Sequence, residues 1–155
     1  MEPSALILAA CGGFLLAVLW MDLLFDVQVL HHGSIDLPDD VLASIAAYYR
    51  RVTTTSRPMG RLVAFVMLVT LATLSAEFVT DAVPLWQVGV SFVLAGAPIV
   101  GAVAKTFRDA ARLGARADDT ATQSRLARSI YREHVAYAIG MGAFIALQIW
   151  RGAAT

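Results

Sequence analysis

Asparagine is missing from this chain altogether, and lysine and cysteine each occur once. A single cysteine excludes an intramolecular disulfide and a CxxC redox centre. Cys11 lies in an apolar run and reads as a small buried hydrophobe. Few amide and amine side chains leave little from which to build a catalytic constellation. The usual signatures are missing as well: there is no G-x-x-x-x-G-K-[ST] phosphate loop, no G-x-S-x-G nucleophile elbow and no H-E-x-x-H pair. Charge is scarce, at 15% of residues, and balanced, with 12 basic against 12 acidic side chains. A net charge of zero gives no reason to expect a nucleic-acid partner.

What is present is hydrocarbon. Of the 155 residues 58% are hydrophobic, and the mean hydropathy is +0.66. A soluble domain averages about 45–50% apolar and about 25% charged residues, so the balance points to a membrane protein. A helix needs about 20 apolar residues to cross the hydrocarbon core. Spans are predicted over residues 5–30, 62–80, 84–104 and 133–150. The first follows MEPS, without Lys or Arg, and outlasts the about 7–15 residues of a signal-peptide core, so it reads as a retained span.

The placement of basic residues predicts orientation. Residues 31–61 hold Arg50, Arg51, Arg57 and Arg61, and residues 105–132 hold Lys105, Arg108, Arg112, Arg116, Arg125, Arg128 and Arg132. The turn between the second and third spans carries Glu77 and Asp81 instead. Cytoplasmic loops collect Lys and Arg, so both of these loops are predicted cytoplasmic, with both termini on the other side of a bacterial-type inner membrane. The fold class is an all-α membrane protein: one integral membrane domain over 1–155, a four-transmembrane-helix up-down bundle with a short cytoplasmic amphipathic helix between helices 1 and 2.

That amphipathic helix is announced by Pro38, Asp39 and Asp40, with Val41, Leu42, Ile45, Tyr48, Tyr49 and Val52 at helical spacing. It either lies on the membrane with its tyrosines at headgroup level or packs on the bundle. Arg50 and Arg51 at its end, with Arg125 and Arg128, are expected to meet anionic headgroups. In the second loop Gly114 is expected to end one helix, and Thr120 with Gln123 has the spacing of a capping box opening the next. Small residues four apart (Ala9, Gly13, Ala17; Ala72, Ala76; Ala97, Gly101; Ala138, Gly142, Ala146) permit close helix contacts, within the chain or in a homo-oligomer. Pro98 is expected to kink or unwind the third span.

Two aspartates interrupt the first span. Asp22 lies ~27 Å of helical rise beyond Ser4, near the cytoplasmic edge, and Asp26 one turn further. His31 and His32 follow at the same face, where Glu133 and His134 enter on the last helix. Such a layer anchors helix ends by salt bridges, or it binds a metal. His31 or His32, His134, and Asp22, Asp26 or Glu133 suit zinc, iron or manganese. A haem would need His31 or His32 to face His134. A third reading is an ion relay through Asp22, with Glu77 at the opposite membrane face. The functional expectation is a non-enzymatic accessory subunit or oligomeric carrier without a cofactor. The alternative is a membrane-embedded redox enzyme using a transition metal or haem.

Overall fold

The computed structural model describes residues 3–33, 35–81 and 83–153. The residues at the two chain ends, 1–2 and 154–155, to which the expected sides of the termini refer, lie outside that set. Helix α1, Pro3–Asp26, continues as a 3-10 turn over Val27–His31. Helix α2 is Asp39–Arg50, followed by a π turn at Arg51–Thr55; helix α3 is Arg57–Val79. Helix α4 runs over Leu85–Ala115 and helix α5 over Thr120–Ala153. The described residues contain no strand.

Four helices, α1 with its extension, α3, α4 and α5, are long and apolar enough to cross a membrane. This marks the chain as an integral membrane protein. The outward faces agree: Trp20, Leu24, Phe65, Leu68, Val93 and Ile139 are all exposed, which suits lipid rather than water as the surround. Where the spanning helices meet, Leu8, Leu15, Leu74, Ala95, Met141 and Phe144 form one core. A second core lies beyond them, where Leu37, Leu42 and Ile45 meet Leu113, Ala127 and Ile130. The apolar face of α2 is therefore spent on α4 and α5, which decides between the two placements open to it. The helix begins where Pro38 and the aspartates indicate.

Several local expectations change. Helix α4 does not stop at Gly114; it ends at Ala115, and Arg116 takes the left-handed conformation at φ 50°. Gly114 is needed for proximity instead, because a Cβ there would stand 2.8 Å from the Arg50 backbone nitrogen. The capping box does not form either. Asp119 caps α5, its carboxylate accepting the Thr122 N–H at 2.7 Å. Nor are Gly13 and Gly142 used inside the chain, since a Cβ at either would meet nothing. Their neighbours do that work: a Cβ at Gly12 would come 2.9 Å from Ile145, and one at Gly140 would come 3.0 Å from the Leu94 carbonyl oxygen. Pro98 cannot donate to that same carbonyl. Helix α4 absorbs the defect without breaking, through π turns at Phe92–Gly96 and Ala102–Thr106 on either side of an α-helical Ala97–Gly101.

Candidate functional site

Asp22 and Asp26 lie four apart on one face of α1, and Tyr48 and Tyr49 are consecutive near the end of α2. Consecutive helical residues diverge by about 100°, so each tyrosine reaches a different aspartate. Tyr49 Oη donates to Asp26 Oδ1 at 2.7 Å, and Tyr48 Oη donates to Asp22 Oδ1 at 2.6 Å. Tyr48 also stacks on Phe25 with ring centres 4.1 Å apart. The second oxygen of Asp26, Oδ2, is 2.7 Å from His134 Nδ1, and Tyr49 Oη is 3.4 Å from the same nitrogen. Asp26, Tyr49 and His134 are all buried. Burial first, then the charges of Asp26 and Asp22, push the Tyr49 phenol far above its ordinary range. Burial and the Asp22 charge push Tyr48 up as well. Both phenols therefore stay protonated and donate. With Nδ1 turned to Asp26, Nε2 is the His134 ring nitrogen outside this contact.

Asp22 and His134 also line one cavity of about 60 Å³. All four spanning helices contribute to it, among them Met67 of α3, Pro98 and Phe107 of α4 and Tyr137 of α5. A single water needs about 10–15 Å³ of such space, so the cavity admits a few waters or a small ion. Its polar side chains are Asp22, His134 and Tyr137.

A hydrogen-bonded line leaves this cavity. Tyr137 packs on Gly101, where any Cβ would collide with its hydroxyl. Tyr137 Oη is 3.4 Å from Thr106 Oγ1, and Thr106 donates to Glu133 Oε2 at 2.7 Å. Glu133 also accepts Ser129 Oγ at 2.9 Å and pairs with Lys105. The Lys105 side chain is 47% exposed, so the line reaches the surface. Thr106 closes the second π turn of α4.

A second buried polar centre lies at the other end of the bundle. Arg151 grips Glu77 with both terminal nitrogens, at 2.7 and 3.2 Å. Arg151 Nη1 also donates to Gln148 Oε1 at 2.7 Å, and Gln148 Nε2 donates to Ser91 Oγ at 3.0 Å. Helices α3, α4 and α5 are tied together there, with the apolar core of Leu74, Ala95 and Phe144 between the two centres.

The residues singled out in the sequence thus separate. Asp26 and His134 touch, and Asp22 lines the cavity together with His134. Glu133, next to His134 in sequence, faces α4 and Lys105 instead. His31 is exposed on the 3-10 turn, and the His32 backbone carbonyl accepts Arg128 Nη2 at 3.4 Å. Glu77 pairs with Arg151. Among the described residues no three His, Cys, Asp or Glu side chains gather as a metal-ligand set. Tyr48, Tyr49, Tyr137, Thr106 and Arg151 were not expected as members of either centre. One signal for the far centre was visible: Gln148 and Arg151 stand three apart at the end of an apolar run, one helical turn like the four-residue step from Asp22 to Asp26 in the first span. Comparison with protein-family models, with curated proteins and with solved structures finds no match to this chain, so its functional reading rests on its own residues.

Proposed function

We propose that this is a small non-enzymatic protein of a bacterial-type inner membrane that takes up and releases a proton at the Asp22–His134 cavity, as an accessory subunit or a carrier. The observation behind the reading is the cavity itself: a carboxylate and an imidazole inside a spanning bundle, with a hydrogen-bonded line through Tyr137, Thr106 and Glu133 to exposed Lys105. Ionisable groups inside spans are functional candidates by default. An up-down arrangement with cytoplasmic loops fits the basic residues. It is supported by the antiparallel run of α1 and α5, with Gly12 beside Phe144 near the middle of α1 and Asp26 against His134 at its end. The narrow interior suits a proton in a single copy; a larger cargo would need a homo-oligomer.

The test is proton flux into proteoliposomes that trap a pH-sensitive dye, driven by a potassium-diffusion potential. Wild-type vesicles are expected to acidify, and Asp22→Asn and His134→Gln vesicles to behave as empty ones. Infrared difference spectra should show a carboxyl band that Asp22→Asn removes. Wild-type vesicles no leakier than empty ones, with no such band, would sink the reading.

A second reading rests on the Asp26–His134 contact. Metal-ligating histidines commonly donate their other ring N–H to a carboxylate, and Asp26 occupies that position toward His134. His134 Nε2 and Asp22 would then be ligands of a transition metal in a redox enzyme. Metal analysis and an optical spectrum of the purified chain separate the two readings: this one expects bound metal that His134→Gln abolishes.

A further inference from the structure

From Val41 to Ala76 the chain carries four arginines and no acidic residue. Arg50, Arg51, Arg57 and Arg61 are all exposed, and among the described residues none of them enters an ion pair. The cations of the second loop differ. Lys105, Arg108, Arg112 and Arg116 each face a carboxylate, Arg125 donates to the Thr122 hydroxyl and Arg128 to the Ile35 carbonyl. Arg132 has no such partner among the described residues and Arg125 meets only a neutral hydroxyl, but the longest run of cations without a carboxylate lies where α2 leads into α3.

That place has a shape. A groove of about 530 Å³ opens between the end of α2 and the end of α4, lined by Arg50, Arg51, Arg116, Thr54 and Thr55 over a floor that includes Gly114. No carboxylate lines it. Guanidinium groups match phosphate oxygens with paired donors, and charge-assisted bonds of this kind are about twice as strong as neutral ones. Directly after the groove, α3 exposes Met59, Leu62, Phe65 and Leu68 at three-residue spacing. Cations followed by an apolar lane fit a molecule with a phosphate at one end and hydrocarbon at the other.

We propose that this groove binds the headgroup phosphate of an anionic phospholipid, whose acyl chains run along the exposed stripe of α3. The site is independent of the proton reading. The test uses the full chain in a neutral detergent, titrated with phosphatidylglycerol or phosphatidylcholine and followed by native mass spectrometry. Phosphatidylglycerol is expected to bind more tightly than phosphatidylcholine. Each basic residue near a membrane surface contributes about 1 kcal/mol toward anionic lipid, so the Arg50→Gln/Arg51→Gln double variant should bind roughly 30-fold more weakly. Arg50→Lys/Arg51→Lys should lose less. Arg108→Gln/Arg132→Gln, which removes the same charge elsewhere, should leave binding unchanged. If the first double variant does not fold, Arg51→Gln alone, at an exposed position, should still weaken binding roughly fivefold. Equal affinity for the two lipids, or equal loss in the two glutamine pairs, overturns the site. Displacement of the lipid by an equal concentration of inorganic phosphate overturns the lipid as its ligand.

Discussion

Asp26 has no carboxylate oxygen to spare. One holds Tyr49 and the other His134, so losing the side chain strands two buried partners. Asp26→Ala is expected to cost about 3–5 kcal/mol, as when a buried pair is broken from one side. Tyr49→Phe should cost only about 1 kcal/mol. Thermal unfolding in detergent measures both, and equal losses would mean that the imidazole contact contributes nothing. Gln123 is the opposite case. It is buried, and neither polar atom of its amide has a protein partner among the described residues. An unsatisfied buried group costs about 1–3 kcal/mol, so Gln123→Met is expected to raise the unfolding temperature. At this scale the sequence exposes half of each contact. Asp22 and Asp26 stand out because an apolar run makes them conspicuous; Tyr48 and Tyr49 do not, because hydroxyl-bearing aromatics suit a headgroup layer equally well. The pattern along α2 says which face is covered and leaves open whether lipid or protein covers it.

The helices themselves were legible, since spans of twenty apolar residues and a 3.6-residue period have few other solutions. Their ends and approaches were harder to read, because Gly serves both as a terminator and as a place for close contact. Gly114 serves the second purpose, against backbone that cannot swing aside. Gly114→Val is expected to lift α2 from α4, which spin labels at the exposed Ala47 and Ala111 would register as a longer separation. The start of α5 responds to acid. The Thr122 N–H and hydroxyl hold the Asp119 carboxyl below its ordinary range. A depressed folded value means that the capping contribution is complete above the ordinary aspartate range and disappears as pH falls through that folded value. At neutral pH, Asp119→Ala should therefore speed hydrogen exchange at the Thr122 amide. The difference between the two proteins should close once the pH has dropped below the folded value.

The molecule as a whole has polar matter at two levels and hydrocarbon between them. At the far level the Glu77–Arg151 pair is almost wholly buried. Glu77→Leu should be severely destabilising, because it leaves a guanidinium without its carboxylate; Glu77→Leu/Arg151→Met should recover most of the loss, since a buried pair and a hydrophobic replacement are often nearly equal in stability. A double-mutant cycle on detergent-solubilised protein tests this, and strictly additive losses would count against it. In the sequence Glu77 reads as one end of an ion path and its partner is not apparent, because nothing in a one-dimensional pattern aligns residues 74 positions apart. Helix α5 belongs to both levels, fastened through His134 to α1 and through Arg151 to α3. A rod pinned at two points can neither turn nor slide without releasing a pin, and is left only with flexure between them. The segment between those pins holds Gly140 and Gly142, and Gly140 rests on the Leu94 carbonyl inside the first π turn of α4. The glycine-bearing stretch of α5 and the first π turn of α4 thus meet between the two fastenings, where only a residue without a Cβ lets the helices come so close.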